Sequence, residues 1–181
     1  MFYEPKNGHP FKIDPYKALV FPRPIGWISS LSKQGIPNLA PYSYFNAVAD
    51  EPPQVMFCSN GDSAYGGFKD SLSNILSTKE FVVNFATSTT RDAMNISSSN
   101  YKPNEDEFVA ARLKKRKSKL VKAPSVNDSP VNLECRLLKT LKLKTNSKKL
   151  STMVIGEVIG IYINNKFIKN KRVDSVSMRY I

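Results

Sequence analysis

The sequence predicts a mainly β protein, folded as a small barrel with a few short helices. Three observations carry this. Short β-branched and aromatic runs recur between turn signals, only two stretches show helical periodicity, and helices never alternate with strands as a βαβ sheet requires. With 181 residues, 41% of them hydrophobic, the chain has enough apolar side chain for one sizeable core. It is read as a single domain over 1–181, with an N-terminal arm over 1–21 and an exposed basic connection over about 104–128.

The arm holds Pro5, Pro10 and Pro15, so it is expected as ordered loop rather than a long helix. "GWISSL" (26–31) is the first strand, its Trp27 and Ile28 suited to a pleated surface. "SKQG" turns the chain, and "IPNLAPYSYFNAVA" returns extended. Two prolines there argue for an edge or a bulged strand. After "DEPP", "QVMFCSN" (54–60) is a short apolar strand. Leu72, Ile75 and Leu76 then fall on one helical stripe, predicting a short helix over about 71–77 with Asp70 as its N-cap. "EFVVNFA" is a strand, and "STTRDAMNISS" a second short helix capped by Ser88 or Thr89. Two long strands close the chain. "PVNLECRLLKTLKL" puts Val131, Leu133, Cys135 and Leu137 on one face, and "STMVIGEVIGIYIN" is β-branched throughout, with "KTNSKK" as the hairpin turn. Gly156 and Gly160 inside the last strand predict bulges or the close approach of another group.

Charge is unevenly placed. Residues 1–107 carry 9 Lys and Arg against 11 Asp and Glu, and residues 108–181 carry 18 against 4. The excess sits in "ARLKKRKSKLVK" and "KTLKLKTNSKK", runs that suit a solvated surface or weak polyanion contact between Lys114 and Lys122. The chain has no apolar run long enough for a membrane helix and no basic-then-apolar leader, so a soluble, cytoplasmic protein is expected. Cys58 and Cys135 lie in separate apolar stretches, and His9 is the one histidine. A disulfide framework, a multi-histidine metal site and haem attachment are therefore not expected. No GxGxxG, Walker A or GxSxG motif occurs.

What remains is an ordered set of stretches. "PRPIGWIS", "NLAPYSYFNAV", "DEPPQVMF", "KDSLSNI" and "EFVVN" are followed by "AMN", "EFVAARL", "SPVNLEC" and "VIGEVIGIYI". In that order they resemble the flavin reductase-like family of FMN-binding split β-barrel proteins, over about residues 9–174. The resemblance implies a homodimeric split barrel binding FMN near the subunit interface. The family pattern continues past "RVD" with an arginine, a glycine pair and an aromatic, where this sequence reads "SVSMRYI".

FMN combines a phosphate dianion, a hydroxylated chain and a flat apolar ring with polar edges. Lys69, the Ser71 hydroxyl and the amides at the following helix start suit the phosphate, with Asp70 pointing away. By resemblance, Ser43, Asn46 and the backbone near Ala47 meet the ring edge. Ser29, Ser30, Ser59 and Asn60 are candidates for the ribityl or phosphate oxygens. Hydride passes from NADH or NADPH to the flavin when the rings stack, so the protein mainly orients. His9 and Arg23 are the weak candidates to touch the nicotinamide. The function expected is hydride transfer from NAD(P)H to flavin. The alternative is an FMN-binding protein without significant turnover, docking a polyanion or protein partner through its basic face.

Overall fold

The computed structural model describes residues 1–146 and 149–181. Helix α1 (Tyr16–Leu19) lies in the exposed arm. Then come β1 (Gly26–Leu31), β2 (Pro37–Tyr42), β3 (Phe45–Asp50) and β4 (Pro53–Asn60), followed by α2 (Asp70–Thr78), β5 (Glu80–Phe85), α3 (Arg91–Ile96) and α4 (Glu107–Ala110). Two short strands, β6 (Lys115–Arg116) and β7 (Ser125–Val126), precede the long β8 (Val131–Lys142) and β9 (Ser151–Ile163), and β10 (Ile168–Lys169) pairs with β11 (Arg172–Val173) near the end.

Seven strands form one antiparallel sheet in the order β2-β1-β5-β8-β9-β4-β3. Its two edge strands, β2 and β3, are consecutive in sequence and joined only by Ser43 and Tyr44. Six strand spacings would hold the edges of a flat sheet about 29 Å apart. The link from Tyr42 to Phe45 reaches at most about 11 Å. The sheet must therefore roll until its edges meet, which is the expected split barrel. Across the seam the Tyr42 and Phe57 rings lie 4.7 Å apart, and Cys58 N donates to Tyr44 O at 2.9 Å.

The interior is filled by Ile28, Phe45, Phe57, Phe81, Val83 and Val154, with Leu72 and Ile75 of α2 closing one end. Cys135 and Val158 belong to this core, and Leu133 and Leu137 pack against it. β1 is buried on both faces because period-2 alternation sends Ile28 inward and Trp27 outward, into a second cluster with Leu39, Met94, Phe108 and Val126. The glycine expectation holds at both positions: a Cβ at Gly156 would lie 2.4 Å from the Phe81 ring, and one at Gly160 3.1 Å from Leu120 Cδ1.

Three local readings are corrected. Lys69, not Asp70, occupies the N-cap of α2, with no side-chain cap bond, and Asp70 is the first helical residue. Thr90, not Ser88 or Thr89, precedes α3, because its Oγ1 accepts from Thr87 N and closes the preceding turn. The connection over 104–128 is not simply exposed: Phe108, Val121, Ala123 and Val126 are buried while its lysines face solvent. Its backbone is tied to the barrel wall by carboxylates. Lys119 N and Leu120 N donate to Glu134, and Lys122 N donates to Glu80. Part of the expected 144–149 turn lies outside the described residues.

The Gly156 contact has a measurable consequence. Gly156→Ala pushes a methyl into a fully buried ring and should cost about 2–3 kcal/mol, lowering the melting temperature by roughly 5–10 °C. Gly160→Ala meets a movable leucine tip and should cost under about 1 kcal/mol. Thermal unfolding of both variants checks the difference.

Candidate functional site

The seam carries a cavity of two adjoining lobes that share Ser43, Tyr44, Cys58 and Asn60 as a common wall. The lobe on the β2 side, about 280 Å³, is polar and holds Lys69, Asp70 and Ser71 from the start of α2, with Asn38 and Glu107 at its floor. The lobe on the β3 side, about 580 Å³, is bounded by Pro22, Pro24, Phe45 and Met56, with Tyr16 and Val20 of the arm at its rim. A ligand lying across Ser43 and Tyr44 thus meets a charged end and an apolar, flat end.

Local structure explains the polar end. α2 follows β4 and the 61–69 loop, and Lys69, Asp70 and Ser71 at its start line the lobe, where a helix start leaves its first amides without intrahelical partners. Ser71 is buried, and its Oγ donates to Asn38 Oδ1 at 2.6 Å. Asn38 Nδ2 donates to Glu107 Oε1 at 2.6 Å, and Leu39 N donates to Glu107 Oε2 at 3.0 Å. Burial raises the Glu107 carboxyl to about 7 against the lowering effect of those donors, with Asp70 adding to the rise. Burial also pushes the Asp70 carboxyl up, and the Tyr42 hydroxyl to about 12, although Ser71 and Ser59 beside it act the other way. The Ser97–Asn100 loop forms another wall and is held by Trp27 Nε1, which donates to Ser97 Oγ at 2.9 Å.

Of the residues singled out from sequence, Ser43, Asn60, Lys69 and Ser71 line the polar lobe. Ser43, Asn60, Asn46 and Arg23 line the apolar one. Ala47 is exposed on β3, and its N–H is taken by Asn46 Oδ1 at 2.9 Å. Ser30 sits one layer behind the polar lobe, within 3.4 Å of Asn38 Oδ1 and accepting from Asn74 Nδ2 at 3.2 Å. Ser29 is on the other face of β1, because consecutive strand residues point oppositely. It donates to Pro124 O at 2.6 Å and lines neither lobe. His9 is exposed in the arm, edge-on to Tyr3 at 6.4 Å, and also lines neither lobe. Asp70 does not point away but forms part of the polar wall.

Two buried polar atoms lack hydrogen-bond partners among the described residues, Ser59 Oγ and Arg23 Nε. Arg23 Nη1 donates to the carbonyls of Lys17 and Val20, bracing the end of the arm locally, and its guanidinium lies 5.8 Å from the Tyr44 ring centroid. A guanidinium among the residues lining an apolar lobe suits a flat ring with polar edges. The lysine, hydroxyl and free amides of the other lobe fit a phosphate.

Glu107, Asn38, Asp70 and the Ser97–Asn100 loop were not legible as site residues. Glu107 lay in a run read as a polar connection, and only the pairing of β1 with β2 brings Asn38 to α2.

Residues 18–175 match the flavin reductase like domain. An uncharacterized protein of Aquifex aeolicus is 47% identical over 123 residues, covering 67% of this chain and 62% of that protein. One of Deinococcus radiodurans is 35% identical over 151 residues, covering 81% and 63%. The chain thus spans about three fifths of the length of these two relatives. Among solved structures, nitrilotriacetate monooxygenase component B from Bacillus cereus superposes with a TM-score of 0.87 at 29% identity, over 99% of this chain and 90% of that one. The flavoredoxin of Methanosarcina acetivorans, at 20% identity and a TM-score of 0.75 over 96% and 85%, shares the fold. Since the match runs from the arm helix to beyond β11 rather than resting on one motif, the chain belongs to the flavin reductase like domain family.

Proposed function

We propose that the chain binds FMN across the seam, phosphate in the polar lobe and ring in the apolar lobe, and passes hydride from NADH or NADPH to the flavin. The observation that supports this most is the pairing of lobes of opposite character on one shared wall, with Lys69 and the α2 amides at the polar end. A flavin offers the same pairing along its length. Solved structures that share the fold include the NADH:FAD oxidoreductase from Streptomyces globisporus, at 18% identity and a TM-score of 0.67.

The protein's part is orientation. Lys69 and Ser71 anchor one end, and the 43–44 link fixes the middle. Arg23, pinned through Lys17 and Val20, lines the ring lobe, where a cation favours electron density arriving on a bound ring. Flavin supplies the hydride acceptor, and no acid or base of the chain is required. Homodimerisation and a cytoplasmic location belong to this reading. No helix among the described residues is long and apolar enough to cross a membrane.

A second reading, flavin binding without significant turnover, draws support from the exposed Lys114, Lys117, Lys119 and Lys122 on a loop whose backbone is anchored. That is a surface suited to a polyanion or acidic protein.

Two measurements test these readings. The protein mixed anaerobically with FMN should show perturbed flavin absorption that bleaches on adding NADH or NADPH. A bound flavin that bleaches no faster than free flavin supports the second reading, and no binding at all refutes both. Lys69→Ala should weaken FMN by about 1.5–3 kcal/mol, roughly 10- to 150-fold, through loss of a charge-assisted bond. Riboflavin, which lacks the phosphate, should bind the variant as it binds the parent protein in fluorescence titrations.

A further inference from the structure

The floor of the polar lobe holds a group that works against an anion. Glu107 is 5% exposed, and it lines the lobe that also holds Lys69 and Ser71. Both of its oxygens are fixed acceptors, one from Asn38 Nδ2 and one from Leu39 N. The amide of Asn38 is thereby locked with its oxygen toward α2, where it takes the Ser71 proton. With Glu107 ionised, the lobe presents a carboxylate, and its hydroxyl proton is turned away from the cavity. A phosphate dianion placed there meets a like charge in a poorly solvated site.

Protonation removes the like charge. A neutral Glu107 carries no charge against the phosphate and offers an O–H donor, while Asn38 Oδ1 keeps both Ser71 Oγ and Ser30 Oγ as neighbours. The other charged or titratable groups lining the lobe with Glu107 are Lys69 at the N-cap of α2 and Asp70 in its first turn, Tyr42 from β2, Tyr44 from the link to β3, Cys58 from β4, Lys17 from the arm, Asp62 after β4 and Tyr101 after α3. Of these, Asp70 raises the Glu107 carboxyl, and the Glu107 charge in turn adds to the rise at the Tyr42 hydroxyl.

Resting on the flavin reading above, we propose that Glu107 is a positioning residue that makes phosphate binding pH-dependent: the neutral acid admits the flavin phosphate and the carboxylate weakens it. By linkage, FMN binding near neutrality draws a proton onto Glu107. The sign is opposite to that of a simple cationic site, where affinity rises with pH as the phosphate loses its second proton at about pH 6. Above about pH 7.5 the phosphate is fully ionised, so any further change reports on the protein.

The test is the ratio of FMN to riboflavin affinity, from flavin fluorescence, between about pH 7 and pH 9 for the parent protein and for Glu107→Gln. A one-unit coupling between phosphate and Glu107 lowers the parent ratio roughly fivefold over this range, and the variant ratio stays flat. A parent ratio that does not fall overturns the proposal, and so does a fall that persists in the variant. Should the variant not fold, calorimetry of the parent in buffers of different ionisation enthalpy decides. Net proton uptake with FMN but not with riboflavin at about pH 7.5 supports it, and no uptake overturns it. Loss of both ligands at every pH instead removes the flavin reading on which it rests, whereas normal FMN binding without the pH term removes only the role of Glu107.

Discussion

Everything in this molecule follows from two residues, Ser43 and Tyr44, that join opposite edges of a seven-stranded sheet. A connection that short leaves the sheet no choice but to close. Because the joined strands do not pair, the closure is left with a seam. Backbone in the seam has no regular strand partner to satisfy it, and polar side chains gather there. The ligand cavity sits where the fold is forced to be incomplete.

Around that seam, polar groups do structural duty as well as lining the site. Glu107 holds the backbone of β2 through Leu39 N, so the floor of the lobe is also a tie between α4 and the barrel. Glu80 and Glu134 cap the backbone of residues 119–122 in the same way. Inside the wall, Asn84 donates to Trp27 O and accepts from Val126 N and Asn132 Nδ2. Such buried networks contribute modestly when complete and are costly when broken. They fix the outer wrap in one register, and with it the Ser97–Asn100 wall that Trp27 anchors.

Strand positions were largely legible from the sequence because alternation and β-branching report burial directly. "GWISSL" coincides with β1, and the prolines of "IPNLAPYSYF" pointed to an edge or bulged strand, which β2 is, but not to the division of that run into two strands at opposite edges of the sheet. Less legible was anything depending on which face a residue takes relative to a distant element. Ser29 and Ser30 look alike in sequence, but one serves the outer wrap and the other the site. Glu107 looks like one more acid among "NEDEF", yet burial against β2 gives it a unique environment. Asp70 reads naturally as a cap, but the chain enters α2 one residue earlier, leaving its carboxyl on the cavity wall. Local periodicity carries secondary structure, whereas site membership is a property of topology.

The ring of Phe81 pressed against Gly156 bears on how this architecture changes over time. With the barrel interior filled to contact distance, no ligand passes through it, and of the packed core only Ala40, Tyr42 and Phe45 also form part of the wall that meets a ligand. Substitutions at the seam can then retune what is bound while the core stays as it is. Drift in the core is met by loss of the folded state rather than by altered chemistry. A scaffold divided in this way can diversify its reactions at low risk to its own folding.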